Sequence, residues 1–573
     1  MFKIARGRIN VWQVLAAIIF MIFQVIATLY IPNLTSDIVN KGVITGDTDF
    51  IVSAGIKMIV VSFITVIAAF GNVLMASQAS QGLGRKLRSD LFKKILYFTH
   101  DEFDKFETSS LTTRTTNDVV QIQNVMIMML RMMIMAPIML IGASFMAYQK
   151  NAEMTKIFLI SIPILLVLVG AVMFFAVPLF KAMQKKTDCL NLVFREGLTG
   201  VRVIRAFRQD KFEQDRFNDA NQDYTNNAVK VFSIVALMFP IVTLIMSGTN
   251  VGITWLGAHY IANQSMEIGN MIAFMTYAMQ ILMSFMILSM VFVFVPRASA
   301  STARIQEVFE TKSKIDVVAK PAKLKNEPAL SFNDVNFRYA GAEKLALANL
   351  NFNMTKGQTL AIIGGTGSGK STLINLIPRF YDAETGVVSI NGTDVKALST
   401  EDINSKVSMV PQKAYLFRGT IRDNMLYGKP DATDDEIWHA LEVAQAADFV
   451  SELDDKLDSE VEQGGENFSG GQKQRLAIAR ALVKDASIYV FDDSFSALDF
   501  KTDLNLRTAL RNDEKISQSV VVIVGQRIST VADADQIVVL DDGKMVGLGT
   551  HAELKANNKT YQEIIESQLK EGK

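Results

Sequence analysis

Leu360-Ala361-Ile362-Ile363-Gly364-Gly365-Thr366-Gly367-Ser368-Gly369-Lys370-Ser371-Thr372 decides how the second half of this chain folds. Four apolar residues read as a buried strand, and a glycine-rich turn follows that opens a helix. This is the G-x-x-x-x-G-K-S spacing in the strand-to-helix setting the motif requires. Glycines let backbone amides wrap a β-phosphate, and the helix behind presents its positive end. Lys370 then reaches the β- and γ-phosphates, and the Ser371 hydroxyl coordinates Mg²⁺. Farther on, the apolar run Ile488-Tyr489-Val490-Phe491 ends in Asp492, placed to hold the same metal through water.

Ahead of this block lies a charged, proline-punctuated linker, with Lys312-Ser313-Lys314, Lys320-Pro321, Lys323, Lys325 and Pro328. The alternating segment Leu330–Tyr339 after it reads as a strand. The expected division is therefore 1–305 for a membrane domain, 306–328 for the linker and 329–568 for an α/β P-loop domain. At 573 residues the chain is too long for one core. Its 58 basic and 58 acidic residues balance, which gives no reason to propose a nucleic-acid partner. The lone Cys189 rules out an intrachain disulfide framework and fits a reducing compartment.

Hydrophobic residues make up 49 % and mean hydropathy is +0.22, an excess concentrated in the first half. Apolar stretches run over 11–34, 50–76, 125–148, 157–180, 231–258 and 268–295, each long enough to cross ~30 Å of hydrocarbon as a helix. The first follows Lys3, Arg6 and Arg8 like a signal peptide, but its length and polar exit argue for a retained span. Basic residues concentrate in 77–120 and 181–226, whereas 35–49, 149–156 and 259–267 carry few or none. That asymmetry puts the N-terminus, both long connections and the C-terminal half in the cytoplasm of a multi-pass cell-membrane protein.

Both long connections are helix-compatible, so helices continuing through them at ~1.5 Å per residue project well past the bilayer. Each has a polar break, at 103–110 and around 195–200, fitting either a helical tip pressing on a soluble domain or a solvated loop. Methionines crowd the third span (Met126, Met128, Met129, Met132, Met133, Met135, Met139), as adaptable ligand surface or as lipid-facing filler. Arg131 in that span reads as an interfacial anchor.

A second glycine turn, Asn467-Phe468-Ser469-Gly470-Gly471-Gln472, opens a helix about 100 residues after the P-loop, a further anion site. It cannot easily serve the same phosphates, and its natural target is a nucleotide on a facing subunit. With these motifs in place, the chain resembles an ABC transporter half of the exporter type over nearly its whole length. The resemblance implies six transmembrane helices followed by a nucleotide-binding domain, with ATP and Mg²⁺ as cofactors. By the same resemblance Gly364, Thr366, Gly367, Ser368, Gly369, Lys370, Ser371 and Thr372 form the Walker A loop. Tyr339 stacks on adenine, Gln412 is the Q-loop residue, and Ser371, Gln412 and Asp492 serve the metal. Phe468, Ser469, Gly470, Gly471 and Gln472 are the signature, with Phe for the usual Leu. Ser496, Ala497, Leu498 and Asp499 are the D-loop. The acidic 460–466 segment matches the stretch that contacts coupling helices in exporters, or is a solvated turn.

Against that family pattern two positions depart, both at the hydrolytic step. Asp493 stands where a catalytic glutamate follows Walker B, and Gln526 stands where the switch histidine belongs. Asp493 is one methylene shorter, and losing a positioned general base costs roughly 10²–10⁴-fold in rate. Nothing needed to bind ATP is missing. The combination resembles the degenerate half of heterodimeric bacterial multidrug exporters. It implies a non-identical partner chain carrying the Glu and His, membrane lipid around both halves, and an amphiphilic small-molecule substrate. A homodimeric lipid-flippase-type exporter and an ATP-gated regulatory membrane protein are the alternatives.

Overall fold

The computed structural model describes residues 2–312, 315, 321–324 and 329–571. Two compact units emerge: Met1–Leu96 with Glu107–Thr311, and Tyr97–Phe106 with Lys312–Lys573. Much of the expected linker (Ser313, Lys314, Lys320, Lys325 and Pro328) lies outside the described residues, and residues 306–310 end a helix.

Among the described residues the first unit holds six helical spans long and apolar enough to cross a membrane: α1 Val11–Val43, α2 Thr48–Leu96, α3 Thr108–Lys150, α4 Ala152–Thr199, α5 Asp210–Ala262 and α6 Ile268–Glu310. At 49 residues α2 measures about 74 Å, more than twice a ~30 Å hydrocarbon core. Lipid offers no hydrophobic drive between helices, so contacts rest on small residues and interhelical hydrogen bonds. α1 packs on α2 and α6, α3 on α6, and α4 on α5. Ala17, Ala76 and Ala143 are fully buried, and Asn72 Nδ2 donates to Ala17 O at 2.8 Å while Tyr277 Oη donates to Leu29 O at 2.9 Å. In α3 the helix loosens to π geometry at Arg114–Asp118 and again at Met129–Met133. Its methionines face both ways: Met126 is buried and Met132 is exposed, as is Arg131 beside it.

Among the described residues the second unit is built on a ten-stranded sheet. Its strands are β1 Ala329–Phe337, β2 Leu347–Thr355, β3 Thr359–Gly364, β4 Thr385–Ile390, β5 Thr393–Asp394, β6 Val407–Val410, β9 Ile488–Asp492, β10 Val520–Val524, β11 Gln536–Asp541 and β12 Lys544–Gly549, while β7 Gly419–Thr420 and β8 Glu460–Val461 pair separately. The order is β5-β4-β1-β2-β12-β11-β3-β10-β9-β6. Sequence reads this arrangement directly where strands are buried on both faces. Val520–Val524 and Ile488–Asp492 are buried at every position, as continuous apolar runs in a parallel sheet must be.

Register then places the site. Val524 pairs with Asp492 on one side and Ile362 on the other, Val410 pairs with Phe491, and Leu540 pairs with Gly364. The carboxyl ends of five parallel strands therefore end at one level, where ligands bind in open α/β sheets.

Candidate nucleotide site

β3 delivers the P-loop. Gly367 and Gly369 adopt φ of +82° and +99°, and a Cβ at Gly369 would stand 2.8 Å from Leu347 Cδ2, so glycine is required there. The helix Lys370–Leu376 starts immediately after. Lys370 Nζ donates to the carbonyls of Gly364 (2.8 Å) and Gly365 (2.7 Å). Burial lowers its pKa, opposed by the charges of Asp493 and Asp492. Tyr339, Leu345, Ala346, Lys370, Ser371 and Gly543 wall a cavity of about 290 Å³ over this loop. Tyr339 Oη and Thr372 Oγ1 share a hydrogen bond of 2.8 Å.

Three observations fit this cradle to a phosphate chain. Cβ positions at Gly365 and Gly367 meet no atom within 4 Å, so the backbone lies open to a ligand. Ser368 Oγ is buried and finds no hydrogen-bond partner among the described residues. Lys370 is held by neutral carbonyls, which a phosphate oxygen replaces with a stronger charge-assisted bond. For a metal, Ser371 Oγ and Asp492 Oδ1 lie 3.4 Å apart. Among the described residues no three His, Cys, Asp or Glu side chains converge on one point. One hydroxyl and one carboxylate suit Mg²⁺, which keeps waters and phosphate oxygens as its remaining ligands.

Gln412, Asp493 and Gln526 meet at the end of the sheet, two, one and two residues beyond the adjacent strands β6, β9 and β10. Asp493 Oδ2 accepts from Gln526 Nε2 at 2.8 Å and from Gln412 Nε2 at 3.4 Å. So the two departures from the family pattern are each other's partner. Gln412, expected on the metal, faces Asp493. Asp493 has φ +48°, a left-handed conformation that Asp adopts more readily than most residues, and its N–H donates to Val524 O at 3.1 Å. Burial raises the pKa of Asp493, the hydrogen bond from Gln526 being the first opposing influence. Asp492 is raised as well, by burial and then by the charge of Asp493, against the Ser371 hydrogen bond.

The signature turn is organised without the P-loop. Ser469 caps the helix Gly470–Leu482 in a reciprocal capping box with Gln472. Phe468 is buried against Phe449, whereas Ser469 and Gly470 are exposed. A Cβ on Gly471 would find only Ala497 O of the D-loop, at 3.6 Å. Within the D-loop, Ser496 Oγ donates to Asp493 O at 2.8 Å, Leu498 is buried and Asp499 caps the helix Phe500–Asn512. None of these signature residues lines the P-loop cavity.

Sequence reasoning missed two contributors. The Asp542-Gly543 turn closes the cavity, with Gly543 at φ +76° and only 2.5 Å for a Cβ from Ala346 O. Its Asp-Gly dipeptide signals a hairpin and says nothing of a ligand wall. The second is an aromatic row. Residues 97–106 belong to this unit, and the His100 ring stacks on Phe380 (4.8 Å) beside Tyr381 (5.7 Å). Tyr381 in turn meets Tyr339 edge-on at 5.5 Å. The acidic 460–466 segment pairs as β8 with β7, and Glu460 lies 4.0 Å from Arg418.

Known proteins give the same picture. Residues 14–285 match the family model of the ABC transporter transmembrane region, and residues 347–496 match the model described as ABC transporter. An uncharacterized ABC transporter ATP-binding protein of Mycobacterium tuberculosis is 41 % identical over 99 % of this chain and 98 % of its own length. An ATP-dependent lipid A-core flippase of Desulfotalea psychrophila is 30 % identical over 93 % of both. The structure of a bacterial Atm1-family ABC exporter with ATP bound superposes with a TM-score of 0.81, covering 97 % of this chain and 98 % of its own at 24 % identity, which shows the shared fold. With a membrane unit and a nucleotide unit in this order, and with relatives matched end to end, the chain belongs to the ABC transporter family and has the ABC exporter architecture.

Proposed function

We propose that this chain is one half of a heterodimeric exporter that moves amphiphilic compounds, drugs or lipids, across the cell membrane at the expense of ATP, with its own Walker site degenerate. The N-terminus and the nucleotide unit face the cytoplasm in this reading. Tyr339 would stack on adenine, the 364–372 loop and Lys370 would hold the phosphates, and Ser371 and Asp492 would hold Mg²⁺, which when bound supplies positive charge against the phosphates. The exposed Ser469 and Gly470 complete the site on the partner, where a Glu and a His carry out hydrolysis. Closing the two nucleotide units on ATP opens the membrane cavity outward, and hydrolysis at the partner's site resets it. The aromatic row from His100 to Tyr339 offers a route between the helical tip 100–106 and the nucleotide.

The observation that carries this reading is the Gln412–Asp493–Gln526 contact. Asp493 lacks the reach of a glutamate, and its Oδ2 accepts from the amides of Gln526 and Gln412. Gln526 donates a hydrogen bond but cannot change protonation state as a histidine does. The test is ATPase activity of the chain alone, then with its candidate partner, then with a partner lacking the glutamate after Walker B. A nearly silent lone chain, and a pair that stops when the partner's glutamate is removed, are expected. Brisk hydrolysis by the lone chain would instead favour a homodimeric lipid flippase, a reading that draws on the lipid A-core flippase among its relatives.

A further inference from the structure

Between the residues at the start of α1 and the C-terminal half of α2 lies a second cavity, of about 480 Å³, within the membrane unit. Its wall is polar: Arg8, Asn10 and Gln13 on one side, Gln81, Arg85 and Lys86 on the other. Three cations and no carboxylate line it. Arg8 is fixed in place, its Nε donating to Asp90 Oδ2 at 2.6 Å and its Nη1 to Ile4 O at 2.8 Å. Gln81 is also oriented, since its Oε1 accepts from Gln123 Nε2 at 2.8 Å and its own amide N–H groups are left as donors. Arg85 and Lys86 are exposed, and no acidic partner is found for either among the described residues. The cavity is thus rich in donors and positive charge, and part of that charge is uncompensated.

Its surroundings say what kind of anion fits. Trp12, 80 % exposed, follows the helix cap Asn10. An exposed Trp at the end of a membrane span marks headgroup depth. Beyond it the exposed faces turn apolar, with Leu15 and Ile19 on α1 and Phe70 and Leu74 on α2. A ligand matching both features is anionic at one end and hydrocarbon along the rest. Basic pockets between membrane helices on the cytoplasmic side bind acidic lipid headgroups for this reason. We propose that the cavity is a binding site for the phosphate headgroup of an anionic phospholipid of the surrounding bilayer, held by Arg85 and Lys86 with Arg8 and Gln81 completing the cradle. The site is independent of the heterodimer reading and of the exported compound.

Native mass spectrometry of the full-length chain, purified with whatever half-transporter accompanies it, tests this by counting retained phosphatidylglycerol during a titration. The wild type should hold one phosphatidylglycerol per chain that phosphatidylcholine does not replace. Arg85→Glu with Lys86→Glu should weaken that site at least about tenfold. Gly82→Leu is an independent probe, because a Cβ at this cavity-wall position meets no atom within 4 Å and the longer side chain occupies the headgroup space. ATP binding serves as the folding control, and if the charge reversal does not fold, Gly82→Leu decides alone. Unchanged retention in either folded variant overturns the proposal, as does equal retention of phosphatidylcholine. Displacement of the lipid by equimolar glycerol 3-phosphate overturns it too, since the site would then be one for a soluble anion.

Discussion

The P-loop face and the signature face of the nucleotide unit are built to different standards of completeness. At the P-loop, the residues proposed to hold phosphate and metal are all present, from Gly367 and Gly369 to Lys370, Ser371 and Asp492. Asp493 and Gln526, the two departures from the family pattern, are bonded to each other. At the signature, Ser469 and Gln472 satisfy one another and Gly470 stands open, so that face needs nothing from its own P-loop to be ready. On the reading proposed above, binding and hydrolysis are separate properties of this architecture, and a chain that gives up the second still supplies a facing subunit.

Repairing the altered face should have the largest effect. Asp493→Glu with Gln526→His should raise hydrolysis at the chain's own site by roughly 10²–10⁴-fold, the contribution of a positioned base. The measurement is ATPase activity of the pair with the partner's glutamate removed, so that only this site reports. No gain would mean that the deficit lies elsewhere. Gly470→Asp attacks the other face. It places a carboxylate where a γ-phosphate should dock, at a helix position that tolerates acidic residues. Pair turnover should fall about 10²–10³-fold, in line with the loss of an oxyanion donor. Labelled-ATP binding to this chain's own P-loop should be unchanged, and a loss there would undo the assignment of the signature to the partner.

How far the sequence anticipated these faces depends on the range of the forces involved. The P-loop, the buried strands β3 and β9 and six apolar spans were legible because each is set by local pattern: turn glycines, short apolar runs, and about 20 apolar residues per crossing. That Asp493 and Gln526 touch was not legible. Thirty-three residues separate them, and only the register of β9 with β10 brings them to one level. The same holds for His100 on Phe380, where a tip helix of seven residues is held by rings far along the chain. The Gln412 contact was invisible for a further reason. A glutamine amide suits a metal or a carboxylate equally, and only the position of Asp493 decides between them. The lining of the cavity near Arg8 lay in plain view as basic residues, but pattern alone reads Arg85 and Lys86 as an orientation signal.

The smallest effect concerns charge in the altered face, and its sign follows from burial. Asp493 has a pKa raised in the folded protein, above its unfolded value near 3.9. A raised carboxylate pKa favours the folded state only while the proton is bound. The stabilisation is complete below the unfolded pKa and is lost as pH rises through the folded one. At neutral pH the buried ionised carboxylate is therefore a cost, only partly offset by the amides of Gln526 and Gln412. Asp493→Asn keeps the size and removes the charge. Its thermal midpoint in detergent should exceed that of the wild type at pH 7, and the gap should close as pH falls toward 4. The substitution also relieves Asp492, whose pKa the neighbouring charge helps to raise. Asp492 should then stay ionised to lower pH, so Mg²⁺-dependent ATP binding in the variant should persist to a lower pH than in the wild type. A variant less stable at pH 7 would show that Asp493 serves the folded site as a needed anion, and the two faces would then be closer in kind than their residues suggest.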